Sequence, residues 1–195
     1  MIHDGAVKDS DIYFKKITNL SLPVADPDAI KGELLFHYGN SRYYEIIDKS
    51  YRDTIATAFP VAPKKIFLAE LIGPLRPHID NGISCSLNYY LNPNGYITNF
   101  WDPIKNAKRL KSKRYDKATD SYSDVELGYK QDDLVLRYSF TAEAGDIYLL
   151  NNSKVHSVTH HEITFSPRDI RLFIQCQWNN DINIDELLKI IVPEL

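Results

Sequence analysis

The sequence has few cysteines, and this shortage excludes one class of small protein. Two cysteines in 195 residues cannot build the disulfide framework on which small secreted domains depend. Cys85 and Cys176 each stand in an apolar, strand-like run. We therefore expect two buried free thiols that behave as small hydrophobic side chains, in a reducing compartment.

Long apolar runs and an excess of charge are also missing. No apolar run approaches the ~18 residues that a membrane-spanning helix requires, and the first residues, Met-Ile-His-Asp-Gly, lack the apolar core of a signal peptide. The net charge of −3 favours neither a nucleic-acid surface nor a membrane surface. We expect a cytoplasmic protein with neither of these partners; the composition leaves the oligomeric state open.

What remains is the composition of an ordinary globular protein, with 44% hydrophobic and 25% charged residues. At this length we expect one domain, residues 1–195, that buries about two-thirds of the surface of its unfolded chain. Tyrosine is abundant, with 13 copies. Its apolar ring and polar hydroxyl suit both sheet surfaces and ligand pockets.

The first third of the chain carries helix signals, and we predict a helical N-terminal support over about 26–59. A first helix begins at Asp26-Pro27, which supply a cap and a first-turn proline, and ends near His37. A second helix is capped by Ser41 and runs to about Ala58, because apolar and aromatic residues recur there at three- and four-residue steps.

From residue 64 the pattern changes to short strands separated by turns. The predicted strands are Lys65–Ile72, Ile83–Leu91, Leu134–Phe140, Asp146–Leu150 and Arg171–Trp178. A helix over about 183–192 closes the chain. This order predicts a mainly β fold with flanking α-helices, in which a jelly-roll core over about 64–178 is backed by helices on one sheet.

Alternation within the second predicted strand places polar residues on one face. These residues are Ser84, Ser86, Asn88 and Tyr90. His78 and Asp80 have the same parity, and Pro77 disfavours a helix at this point. An extended path therefore directs both side chains and the polar row into one interior.

Two histidines and one carboxylate then form a candidate metal site. His78, Asp80 and His156 are the set that a non-haem Fe(II) centre uses, with coordination positions left open. His160 and His161 compete with His156 for the third position. We rank them lower because they lie in a polar stretch that is predicted to be a loop.

An arginine near the second histidine suits a dicarboxylate, because the planar guanidinium grips a carboxylate with two hydrogen bonds. Arg171 would direct Phe173, Gln175 and Gln177 inward with it. Arg168 would direct Ile170, Leu172 and Ile174 inward instead. A cosubstrate pocket needs polar partners, so Arg171 is favoured and Arg168 remains the alternative. A surface ion pair with Asp169 would explain either arginine.

Residues 102–133 are polar and contain a basic cluster. Its members are Lys105, Lys108, Arg109, Lys111, Lys113, Arg114 and Lys117. One interpretation is a solvated loop or an edge hairpin. The other is a substrate-facing lid that attracts an acidic partner.

Three segments resemble the prolyl 4-hydroxylase branch of the Fe(II)/2-oxoglutarate oxygenases. Residues 78–100 carry His-x-Asp-Asn, Tyr-Leu-Asn and Gly-x-x-Thr-x-Phe in that order. Residues 144–158 resemble the second-histidine region of that family, and Arg171-Leu-Phe-Ile-Gln resembles its cosubstrate-binding strand. The similarity covers about residues 65–178.

The resemblance implies a double-stranded β-helix, a cupin-like barrel, in which His78, Asp80 and His156 bind Fe(II). It also implies that Arg171 pairs with the distal carboxylate of the cosubstrate 2-oxoglutarate, helped by the hydroxyl of Tyr90. The expected reaction hydroxylates a C–H bond and releases succinate and CO₂. The substrate would be a peptide or protein side chain, prolyl as first choice, or a small molecule, and ascorbate is a candidate accessory reductant.

Two other functions fit the same residues. One is a cupin-like metalloprotein whose chemistry does not involve 2-oxoglutarate, and the other is a catalytically silent jelly-roll binding module. Within any cavity, the candidate wall residues are Asn88, Tyr89, Trp101 and Gln175.

Overall fold

The structure, a computed structural model, describes residues 11–80, 82–116, 119–160, 169–178 and 182–191. Within them the strands are β1 (Phe14–Ile17), β2 (Lys31–Tyr38), β3 (Ser41–Ile46), β4 (Lys65–Leu71), β5 (Leu75–His78), β6 (Cys85–Asn92), β7 (Tyr96–Pro103), β8 (Arg109–Asp116), β9 (Ser121–Tyr129), β10 (Leu134–Thr141), β11 (Ile147–Asn151), β12 (Val155–His160) and β13 (Arg171–Gln177). The helices are α1 (Pro27–Ile30), α2 (Lys49–Thr57) and α3 (Ile184–Ile191), and a 3₁₀ turn spans Gln131–Asp133.

Eight of these strands form two antiparallel four-stranded sheets. The first sheet has the order β4-β13-β6-β11 and the second has the order β5-β12-β7-β10. The chain passes repeatedly from one sheet to the other, so that strands distant in sequence become neighbours. This is the arrangement of a jelly roll, the double-stranded β-helix. The predicted fold class, mainly β with flanking helices, is confirmed.

The remaining strands extend this core. β3 and β2 continue the first sheet beyond β4, and β1 continues it beyond β11. The β8–β9 hairpin lies between the sheets: β8 pairs with Phe36 and His37 of β2, and Gly128 of β9 pairs with His78 of β5. One side of the barrel is therefore closed by the hairpin.

The predicted helix from Asp26 to His37 is wrong beyond Ile30. Asp26 does cap a helix, since its carboxylate accepts a hydrogen bond from the backbone N–H of Asp28, but the helix has a single turn. The chain then forms β2. Gly39-Asn40 makes a two-residue hairpin turn between paired Tyr38 and Ser41, with Gly39 at φ +54°, where glycine avoids the steric cost of a left-handed conformation.

The predicted second helix is also wrong over its first half, because those residues pair as a strand with β4. Residues Ser41–Ile46 form β3, which pairs with β4, for example Tyr44 with Leu68. The helix begins only after Asp48, whose side chain accepts a hydrogen bond from the N–H of Tyr51 at 2.9 Å. The helical support is thus limited to α1 and α2.

The main apolar cluster lies between the outer face of the first sheet and the helices. It joins Ile174 of β13 and Leu87 of β6 to Ile55 of α2 and Leu187 of α3. Cys85 and Cys176 are buried free thiols in this cluster, as predicted. Burial raises the pKa of the Cys85 thiol to about 12. The thiol therefore stays protonated at neutral pH and is a poor nucleophile.

In the part of the chain that the structure describes, no helix has both the length and the apolar character needed to cross a membrane.

Candidate active site

A cavity of about 790 Å³ lies between the two sheets. Because side chains alternate along a strand, β13 sends Arg171, Phe173, Gln175 and Gln177 into this cavity. Ile174 and Cys176, on the opposite face, pack in the outer apolar cluster. This is the parity predicted for a strand that begins with an inward arginine.

His78, Asp80 and His156 converge at the cavity wall. His78 ends β5 and lies directly opposite His156 of β12, with 4.4 Å between the ring centroids. Asp80 follows two residues after His78. Its Oδ1 lies 3.6 Å from His78 Nε2 and 3.8 Å from His156 Nε2. Among the described residues, these three form the one group of His, Cys, Asp or Glu side chains close enough to share a metal ion.

Backbone carbonyls orient both imidazoles. The Nδ1 of His78 lies 2.7 Å from the carbonyl oxygen of Arg76, and the Nδ1 of His156 lies 3.0 Å from that of Lys154. A carbonyl only accepts hydrogen bonds, so each Nδ1 carries the proton and each Nε2 keeps its lone pair. Burial, together with the neighbouring His156, lowers the pKa of His78 to about 4, which favours the neutral, metal-binding form.

The donor set and its spacing fit a divalent cation. Ligand bonds of ~2.0–2.2 Å place neighbouring donor atoms about 2.8–3.6 Å apart around an octahedral or tetrahedral ion. The observed separations of 3.6 and 3.8 Å need only a small inward movement. Histidine ligands in metalloproteins usually donate their second ring N–H to a backbone carbonyl or carboxylate, and both histidines do so here.

Arg171 lies in the same cavity and is almost completely buried, with 2% of its surface exposed. Its Nη1 and Nη2 donate to Thr98 Oγ1 at 3.1 and 3.0 Å, and its Cζ lies 4.4 Å from the centre of the Tyr90 ring. Its Nε has no hydrogen-bond partner, and no carboxylate among the described residues forms an ion pair with it. Burial lowers the pKa of Arg171, and the Tyr90 hydroxyl partly offsets this effect.

Burying a cation without a counter-ion costs free energy, and an anion that bound to this guanidinium would offset that cost. Tyr90, predicted to assist Arg171, does lie beside it in the cavity. Arg168, the alternative anchor, and His161 lie outside the described residues. His160 is described, and its Nε2 lies 2.9 Å from the carbonyl oxygen of Asn94, outside the cavity lining.

Two of the four predicted wall residues line the cavity. Asn88 and Gln175 do so, whereas Tyr89 and Trp101 do not. Tyr89 is on the outer face of β6 and donates its hydroxyl hydrogen to the Leu22 carbonyl. Trp101 donates its indole N–H to Ser157 Oγ. Both predictions are wrong because each side chain has the opposite parity to its inward neighbours on the strand.

Sequence reasoning missed several polar residues of the cavity, among them Thr98 and Asn152. Thr98 was part of a motif but had no assigned role, and it is the acceptor for both Nη atoms of Arg171. Its alternation with buried Phe100 could have placed it inside. Asn152 also lines the cavity, immediately after β11, and no periodic signal marks it.

The basic cluster lies partly on the β8–β9 hairpin. The hairpin is not at an edge, because β8 pairs with β2 and β9 pairs with β5. Lys117 lies outside the described residues. One charge of the cluster is compensated within the hairpin, because Lys113 forms an ion pair with Asp124. Of the hairpin residues with described side chains, Tyr115 lines the cavity. The idea that the hairpin attracts an acidic partner has no further support.

No protein-family model matches this chain, and a search of the curated proteins finds no match. Among solved structures, the chain is similar to a tryptophan-to-tyrosine variant of oxalate decarboxylase from Bacillus subtilis, at 11% sequence identity and a TM-score of 0.35. The match covers 83% of this chain, which spans only 32% of that protein.

Proposed function

We propose that this chain is an Fe(II)- and 2-oxoglutarate-dependent oxygenase that hydroxylates a C–H bond. One observation carries the proposal: a two-histidine, one-carboxylate group and a buried arginine, which has no counter-ion among the described residues, line the same cavity. The first suits a ferrous ion with open coordination positions. The second suits the far carboxylate of a dicarboxylate. Neither a plain metalloprotein nor a silent module requires both features together.

In this proposal His78, Asp80 and His156 hold the iron. Bound there, the metal supplies with 2-oxoglutarate and O₂ the chemistry that turns a C–H bond into C–OH while 2-oxoglutarate leaves as succinate and CO₂. The protein contributes orientation. The two backbone carbonyls keep the Nε2 atoms of both histidines directed at the ion.

Arg171 and Tyr90 position the cosubstrate. The Nε of Arg171 is unused, and its two Nη atoms share one hydroxyl acceptor, Thr98 Oγ1. An incoming carboxylate can therefore accept charge-assisted hydrogen bonds from a guanidinium already fixed in place. Because the site is buried, these bonds are stronger than they would be in water.

The test is succinate release from 2-oxoglutarate under O₂, with Fe(II) and ascorbate, over a panel of peptides, prolyl peptides first, and free amino acids. The native chain should release succinate. His78→Ala and Arg171→Ala should each lower the rate by about 100-fold or more, because a metal ligand or an ion-pair partner is lost. The matched controls, His160→Ala and the exposed Arg42→Ala, should retain the native rate.

Other outcomes contradict the proposal. Metal binding without succinate release would indicate a cupin-like metalloprotein with other chemistry. Absence of metal binding in the native chain would indicate a binding module.

A further inference from the structure

The cavity contains a second polar region, which the proposed iron and cosubstrate leave unassigned. It consists of five buried, uncharged side chains, here called the amide wall: Ser86, Asn88, Asn152, Gln175 and Gln177. β6 and β13 supply four of them side by side, because Gln175 lies opposite Asn88 and Gln177 opposite Ser86.

The amide wall is one connected hydrogen-bond network. Gln177 Nε2 donates to Gln175 Oε1 at 2.7 Å, and Gln175 Nε2 donates to Asn88 Oδ1 at 3.3 Å. Gln175 Nε2 also lies 3.5 Å from Ser86 Oγ, which accepts a hydrogen bond from Asn152 Nδ2 at 3.0 Å. The side chains therefore hold one another in fixed orientations.

The network reaches both halves of the proposed catalytic site. Asn88 Nδ2 lies 3.5 Å from the Tyr90 hydroxyl, beside Arg171. The carbonyl of Asn152 accepts a hydrogen bond from the backbone N–H of Asp80 at 3.1 Å. The amide wall therefore contacts Tyr90, beside Arg171, on one side and the backbone of Asp80 on the other.

The amide wall lies toward the end of the cavity that the exposed Lys64 and Lys65 line. Gln175 and Arg171 are four residues apart on β13, about 13 Å at ~3.3 Å per residue. Beyond Gln175, Gln177 pairs with Lys65, and Lys64 and Lys65 are exposed although they line the same cavity. A molecule that enters at this end contacts the wall before it can reach Arg171.

The chemistry of the wall discriminates by charge. Its amides and hydroxyl offer both donors and acceptors, so they can replace the hydrogen bonds that a neutral polar group makes with water. The wall itself supplies no charge, and a carboxylate or ammonium group buried against it would lose its hydration without gaining a counter-ion there. The charged side chains that line the same cavity are Asp80, assigned to the metal, Arg171, assigned to the cosubstrate, and the exposed Lys64 and Lys65.

We infer that the amide wall is the substrate subsite, and that it selects an uncharged carboxamide or peptide group over a carboxylate or an ammonium group. The assignment of the amide wall as a substrate subsite rests on the proposed function. The binding preference itself requires neither iron nor 2-oxoglutarate, so it can be measured separately.

The experiment titrates the metal-free full chain with three matched probes: N-acetylalanine N-methylamide, which is uncharged, N-acetylalanine, which is anionic, and alanine N-methylamide, which is cationic. The chain has two tryptophans, and Trp178 lines the cavity whereas Trp101 does not. In a Trp101→Phe background, fluorescence therefore reports from Trp178 alone. The anionic probe can also bind at Arg171, so its total affinity does not measure the amide wall alone. Binding at the wall is therefore the difference in binding between the native chain and Gln175→Leu.

We expect Gln175→Leu to weaken binding of the uncharged probe by at least about tenfold, roughly the value of one or two hydrogen bonds, and to change binding of either charged probe by less than about twofold. Gln175→Glu, nearly the same shape, should shift the preference toward the cationic probe. Gln131→Leu, at an exposed glutamine, should change nothing. If Gln175→Leu does not fold, Gln177→Leu carries the same expectation.

An equal effect of Gln175→Leu on all three probes, or native preference in a folded Gln175→Glu chain, would overturn the inference. The two proposals fail separately. A measured amide preference without succinate release would remove the oxygenase reaction and leave the binding site. Succinate release without an amide preference would leave the oxygenase reaction and remove the amide wall as a selective substrate site.

Discussion

At the scale of single residues, the candidate site depends on groups that hold other groups in place. The carbonyls of Arg76 and Lys154 fix which nitrogen each histidine presents, and Thr98 holds the guanidinium of Arg171. Such fixed dipoles and donors need little rearrangement when a charged ligand arrives. The structure therefore assigns importance to side chains and carbonyls that would themselves bind no metal.

The two adjacent tyrosines of β6 provide a test at this scale. Tyr90→Phe keeps the ring beside Arg171 but removes the hydroxyl, and we expect a three- to tenfold weaker affinity for 2-oxoglutarate, about the value of one hydrogen bond. Isothermal titration of the Fe(II)-loaded chain under argon measures it. Tyr89→Phe, whose hydroxyl contacts Leu22 on the opposite face, should keep native affinity; equal losses in both variants would contradict the role of Tyr90.

At the scale of elements, strand parity was predictable from the sequence and the N-terminal elements were not. Alternation is a strict geometric consequence of an extended chain, so the residue pattern alone suffices to place Arg171 and Gln175 on the inner face of β13. The cap at Asp26 is a genuine local signal, but it specifies only where a helix begins. Pairing with β4 then favours strands over residues 31–46, and such long-range pairing is not visible in a local pattern.

One residue tests the corrected boundary. Asp48→Ala should lower the free energy of unfolding by about 1 kcal/mol, because it removes the N-cap of α2. Urea denaturation measures the change. Ser50→Ala, at an exposed position of the same helix, should alter stability by less than about 0.5 kcal/mol. Similar effects of both substitutions would mean that Asp48 does not begin the helix.

At the scale of the whole molecule, the proposed metal connects β5, β12 and the segment after β5. Binding to the folded state alone must stabilise the fold by mass action. With a divalent ion such as Mn²⁺ at about 100 times its Kd, the gain is about 2.7 kcal/mol, which corresponds to a rise in Tm of about 5–10 °C for a chain of this size.

Thermal melting with Mn²⁺ and with a chelator measures this shift. His156→Ala should abolish it, and His160→Ala, which leaves the three ligands intact, should retain it. A shift that survives in His156→Ala would place the bound ion elsewhere in the protein.

The β8–β9 hairpin has a mechanical consequence for the proposed enzyme. Gly128 of the hairpin pairs with the backbone of His78, and Tyr115 of the same hairpin lines the cavity. A bound molecule that displaced Tyr115 would therefore move a hairpin that is paired with the backbone of His78, a proposed iron ligand. In the proposed enzyme, filling of the chamber and the position of this ligand would be coupled through two adjacent strands.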